Sequence, residues 1–184
     1  LYQDIIISKK MKKKNLSIRE ILMLAFQKYQ KNKLEEASEL CNKILSIDPN
    51  QFDSIFLLGS LSIKTKNFDT AEKLLNKAIQ IQPNHIESYL NLGLLYSEKR
   101  NFEKSIICYE KAIQLKTDHA RSYNDLGIIY KEIREFQKSK KCFQTAIKIE
   151  KEYVGAYINL GNIEKELGDY KKAEVNYNKA IQLQ

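Results

Sequence analysis

Residues 89–93 read Tyr89-Leu90-Asn91-Leu92-Gly93, and the same five-residue shape returns as Tyr123-Asn124-Asp125-Leu126-Gly127 and Tyr157-Ile158-Asn159-Leu160-Gly161, with Ile55-Phe56-Leu57-Leu58-Gly59 ahead of it. Gly59, Gly93, Gly127 and Gly161 stand 34 residues apart each time. A fixed period of this length marks a chain built from stacked copies of one small unit. The same register places Ile21-Leu22-Met23-Leu24-Ala25 one period earlier, so five units follow: 18–51, 52–85, 86–119, 120–153 and an incomplete 154–184.

The second half of each unit repeats as well. Position 20 holds Ala37, Ala71, Ser105, Ser139 and Ala173; position 24 holds Cys41, Leu75, Tyr109, Phe143 and Tyr177; position 27 holds Ile44, Ala78, Ala112, Ala146 and Ala180. Residues at i, i+4 and i+7 form one stripe of an α-helix. Each unit therefore reads as two helices, A and B, with core positions 4, 7, 8 and 11 on helix A. Gly or Ala at position 8 lacks the bulk that would hold helix B away, which explains a glycine inside a helix at a cost of about 1 kcal/mol. Ser17 and Glu20 form a capping box with Leu16 and Ile21 as its hydrophobic staple; Asn67, Asn101 and Asp169 stand at the starts of B helices, and Gly168 can end a helix A. These residues resemble the tetratricopeptide repeat family, best in the third unit with Tyr89, Leu92, Gly93, Tyr96, Ser105, Tyr109 and Ala112. The resemblance implies an all-α, right-handed α-solenoid of antiparallel helix pairs. No Trp occurs at the first signature position, Thr117 and Lys151 replace proline, and the first unit has Ala25 and Lys28 in place of Gly and Tyr.

The resemblance also implies a concave groove lined by positions 2, 5, 6, 9, 12 and 13 of the A helices. In units one and two this face carries Leu22, Met23, Phe26, Phe56 and Leu57; in units three to five it carries Leu90, Asn91, Leu94, Arg121, Asn124, Asp125, Ile128, Ile158, Asn159 and Asn162. Two readings stay open for the apolar half: an exposed docking patch, or a surface covered by residues 1–16, a missing upstream element or a second copy. The row Asn91, Asp125, Asn159 at position 6 is similar to the asparagine row of O-GlcNAc transferases, where amides grip a peptide backbone; solvated amides are the alternative. The clamp by which related co-chaperones hold acidic carboxyl-terminal tails does not fit, because Phe56, Ser60, Asn91, Arg121 and Asp125 match it in only two places and the last reverses charge.

Composition narrows the function. Six Gly and two Pro in 184 residues are too few for a sandwich or barrel. Of the net charge of +8, half lies in residues 1–17, where Lys9, Lys10, Lys12, Lys13 and Lys14 surround Met11, a candidate start. That tail reads as a solvated, disordered terminus, so the basic balance does not argue for a nucleic-acid partner. No apolar run is long enough for a membrane span or secretion signal. Cys41, Cys108 and Cys142 share no metal-like spacing and read as reduced core thiols of an intracellular, cytoplasmic protein. His85 and His119 sit at the turns between units with no neighbouring ligand set. No phosphate loop, nucleophile elbow or zinc signature occurs, so no catalytic residue, metal or cofactor is expected in this segment.

The reading favours a non-enzymatic scaffold that binds a peptide or protein partner in its groove, with homo-oligomerisation left open. The alternative is the substrate-binding region of a larger enzyme, such as a glycosyltransferase, with its catalytic domain beyond Gln184; the chain stopping at position 31 of a unit motivates it.

Overall fold

The structure, a computed structural model, describes residues 16–183. Apart from Leu16 and Ser17, the expected basic tail lies outside that range. Among the described residues there are ten α-helices and no strand: α1 (Ile18–Gln30), α2 (Leu34–Leu45), α3 (Phe52–Lys64), α4 (Phe68–Ile81), α5 (Ile86–Glu98), α6 (Phe102–Leu115), α7 (Ala120–Glu132), α8 (Phe136–Ile149), α9 (Val154–Glu166) and α10 (Tyr170–Gln182). Each 34-residue unit yields one pair, and the two helices of each pair pack on one another. The chain is an all-α solenoid of such pairs, divided into two compact units: residues up to Pro83, with α1–α4, and residues from Asn84, with α5–α10. No helix among the described residues is long and apolar enough to cross a membrane.

The helix ends follow from their side chains. Ser17 Oγ accepts from Glu20 N–H while the Glu20 carboxylate accepts from Ser17 N–H at 2.9 Å, a complete capping box. Asn67, Asn101 and Asp169 each accept a backbone N–H at the start of α4, α6 and α10. Every A helix stops in the same way. Position 15, occupied by Asn32, Lys66, Arg100, Arg134 and Gly168, takes a left-handed backbone with φ of 57°, 58°, 55°, 63° and 80°. The next residue donates its N–H back to position 11, at 2.8 Å from Asn67, Asn101, Glu135 and Asp169 and 2.9 Å from Lys33. This is the Schellman closure, and it turns the chain into helix B without a proline.

Close packing at position 8 is visible inside each pair. A Cβ built on Gly59 would come within 3.0 Å of Leu75, and one on Gly93, Gly127 or Gly161 within 2.7, 2.7 and 2.6 Å of the rings of Tyr109, Phe143 and Tyr177. Only the first pair departs, and for a steric reason: position 24 there is the small Cys41, which leaves room for the methyl of Ala25 in the same buried cluster. In the third and fourth pairs the buried Ser105 and Ser139 add a bond, each hydroxyl donating to the carbonyl of its glycine partner, Gly93 at 2.8 Å and Gly127 at 2.7 Å.

The turn histidines have a structural task. His85 Nδ1 is hydrogen-bonded to Ser88 Oγ at 2.9 Å and His119 Nδ1 to Ser122 Oγ at 2.7 Å. Both serines are fully buried, so each ring satisfies a hydroxyl that water cannot reach. The thiols are all free, with Cys41 and Cys108 buried and Cys142 half-buried. Burial pushes Cys41 up to about 12 and Cys142 up to about 11, so both stay protonated and unreactive at neutral pH.

Candidate functional site

In the compact body up to Pro83, the expected apolar face turns mostly inward. Leu57 is 1% exposed and belongs to the same cluster as Ile21 and Leu24, with Leu22, Phe26 and Tyr29 packed against it. Leu22, Phe26 and Phe56 are half-buried, and Phe56 stacks on Phe52 with ring centroids 6.2 Å apart. Lys64 Nζ lies 4.1 Å over the Tyr29 ring. The contiguous exposed patch expected from Leu22 to Leu57 is therefore reduced to Met23 and the edges of Leu22, Phe26 and Phe56. Packing of α1 on α3 consumes the rest. The proposed cover, residues 1–16, lies outside the described residues but for Leu16.

In the compact body from Asn84 onward, Leu90 is 2% exposed and packs with Tyr109, Leu126 and Ile129. It supports the face from beneath instead of lining it. Leu94 and Ile158 are exposed, and Ile128 is half-buried against the core around Phe143. Asn162 accepts from the Tyr177 hydroxyl at 2.8 Å, which turns it toward its own helix B.

Four of the expected residues join in one chain across α7 and α9. Asn159 Nδ2 donates to Asn124 Oδ1 at 2.9 Å, Asn124 Nδ2 donates to Asp125 Oδ1 at 3.2 Å, and Arg121 Nε stands 3.5 Å from Asp125 Oδ2. Asn124 is buried, Asp125 and Asn159 are half-buried, and Arg121 is exposed. Helical spacing explains the grouping: Arg121 and Asp125 are one turn apart on α7, and Asn159 lies one repeat, plus one residue, beyond Asn124. Burial raises the pKa of Asp125, and the charge and hydrogen bond of Arg121 and the Asn124 amide oppose that rise without cancelling it. The phenols of Tyr153 and Tyr109 are pushed up as well, first by burial and then by the negative charge of Asp125. The arrangement offers carboxylate and amide acceptors inside a partly dry surface, a guanidinium at its margin, and Leu94 and Ile158 as apolar flanks. Among the described residues no group of three or more His, Cys, Asp or Glu could hold a metal ion.

Sequence reasoning missed a buried carboxylate, Glu164, whose side chain is 3% exposed and whose partners are Lys140 Nζ at 3.4 Å and Asn176 Nδ2 at 2.6 Å. Its signal was present: position 11 belongs to the core stripe, and a charge there demands a partner.

Comparison with known proteins agrees with this architecture. One tetratricopeptide repeat model matches residues 51–118 and 88–152, and a second matches 154–184. No curated protein matches the chain. Among solved structures, the crystal structure of MamA is 24% identical with a TM-score of 0.74, covering 86% of this chain and 93% of that one. PilF of Pseudomonas aeruginosa is 18% identical with a TM-score of 0.83, covering 91% and 76%. A thermophilic TPR protein of Thermus thermophilus is 17% identical with a TM-score of 0.76, covering 91% of each chain. At these identities the likeness is one of fold.

Proposed function

Because this chain belongs to the tetratricopeptide repeat family, whose helix-pair arrays are protein-interaction scaffolds, we propose that repeats three to five grip a protein partner on the face formed by α5, α7 and α9. The occupant that fits is an extended segment. Its backbone N–H groups meet the acceptors of Asp125 and Asn159, an acidic side chain meets Arg121, and apolar side chains rest on Leu94 and Ile158.

One observation carries the reading. The half-buried Asp125 is linked through Asn124 to Asn159 and stands 3.5 Å from Arg121, with burial raising its pKa against the pull of that guanidinium. Titratable groups perturbed by burial and a specific charge partner cluster at functional sites, and this polar chain lies on an open face. Amide contacts to backbone supply grip without reading sequence, so selectivity falls to Arg121 and the apolar flanks.

Photocrosslinking tests this. A benzophenone side chain at position 94 or 158 should capture a protein partner from extracts of the source cell, and the yield should collapse when Asp125→Ala and Asn159→Leu are added. The same label at position 107, an exposed site on α6, is the control. Equal capture from position 107, or capture untouched by the two substitutions, would sink the groove assignment.

A further inference from the structure

Within each of the two compact bodies, position 21 of one repeat and position 11 of the next stand together where successive repeats pack, and the three cases are filled differently. Between the third and fourth repeats are Ile106 and Tyr130, both against the core cluster of Leu90, Tyr109, Leu126 and Ile129. Between the fourth and fifth are Lys140 and Glu164, paired at 3.4 Å. Between the first and second are Ser38 and Ser62, and two hydroxymethyl groups do not fill the space. A cavity of about 470 Å³ remains, floored by Leu34, Leu58 and Leu61, with Glu35 and Glu39 on its lining. Ser62 Oγ donates to the Leu58 carbonyl at 2.8 Å, so its hydroxyl is satisfied within its own helix. Glu35 and Glu39 are exposed, and neither has an ion-pair partner among the described residues.

We propose that this cavity is a docking pocket for the aromatic side chain of a partner protein segment that carries Lys or Arg beside that residue. The chain supplies the precedent itself. Where repeats three and four meet, the same place is filled by the Tyr130 ring, with Lys138 Nζ 5.5 Å from the ring centroid. A tyrosine or phenylalanine from outside would cover Leu34, Leu58 and Leu61 as Tyr130 covers its own neighbours, and flanking cations would meet Glu35 and Glu39. Positions 7, 10, 11 and 14, which give Leu58, Leu61, Ser62 and Thr65, lie across the helix wheel from Phe56 at position 5. This pocket is therefore separate from the A-helix face and does not depend on the groove binding anything.

The test titrates the full chain, labelled with ¹⁵N, with acetyl-Lys-Tyr-Lys-amide and follows the amide shifts of Ser38, Ser62 and Thr70. The expected result is saturable movement of these signals, at least about tenfold weaker with acetyl-Lys-Ala-Lys-amide or acetyl-Glu-Tyr-Glu-amide. Ser38→Ile with Ser62→Tyr, which installs the pair of the next junction but one, should abolish it. Equal response to the alanine peptide, or undiminished binding to the filled variant, overturns the proposal. If the filled variant does not fold, Glu35→Gln with Glu39→Gln decides: a several-fold loss supports the pocket and an unchanged titration rejects it.

Discussion

Burial sets the behaviour of Asp125. Its folded-state pKa is raised above the ordinary 3.8, so the unfolded chain releases this proton first as pH climbs. The stability contributed by the protonated group is complete below about 3.8 and is lost as pH rises through the folded value. Asp125→Asn should match the parent at about pH 3 and be more stable at neutral pH, as read from urea midpoints. A less stable variant at neutral pH would mean that the Arg121 pair outweighs burial. Gly127 carries a second prediction. A Cβ there meets the fully buried Phe143 ring at 2.7 Å, whereas one on Gly59 meets the Leu75 side chain at 3.0 Å. Gly127→Ala should therefore cost about 1–3 kcal/mol and Gly59→Ala less; the reverse order of melting temperatures would refute the ring-against-backbone account. The glycines were legible because they recur at one offset. The state of Asp125 was not, since it depends on Asn124 beside it and, through Asn124, on Asn159 35 positions further on.

Helices and their turns were read from the same period, and the caps at Ser17, Asn67, Asn101 and Asp169 were legible because their side chains name the task. The left-handed residue at position 15 was plain only at Gly168. Lys66, Arg100 and Arg134 give no compositional hint of φ near 60°; register with Gly168 and Asn32 is the one clue. A left-handed non-glycine residue costs about 1–2 kcal/mol, and glycine returns part of that gain through its freedom in the unfolded chain. Lys66→Gly should accordingly stabilise the protein by about 0.5–1 kcal/mol in denaturant unfolding. Arg100→Gly should gain less, since the Arg100 guanidinium sits 5.4 Å from the centroid of the Phe102 ring and that contact is lost. Equal gains at both turns would show that the ring contact contributes nothing.

For the molecule as a whole, repeats are joined by local junctions whose free energies roughly add. The junction of repeats four and five is the test case, because Glu164 is buried there with Lys140 as its cation. Lys140→Met should cost about 3 kcal/mol, while Lys140→Ile combined with Glu164→Tyr should recover most of the loss; a double variant no better than the single one would mean that the ion pair, not the filling, holds the junction. What the 34-residue period made legible was the unit. What it hid was how one unit meets its neighbour, because a repeat alignment averages over the positions where the copies differ. That division bears on how such an array grows by duplication. The pairing of position 8 with position 24 lies inside one repeat and travels with it wherever a copy is inserted. Position 21 with position 11 spans two repeats, so placing the fifth repeat directly after the first would set Glu164 against Ser38 and bury a carboxylate without a cation. At the junction of repeats four and five the order of the copies, unlike their shape, is tied to that pair of positions.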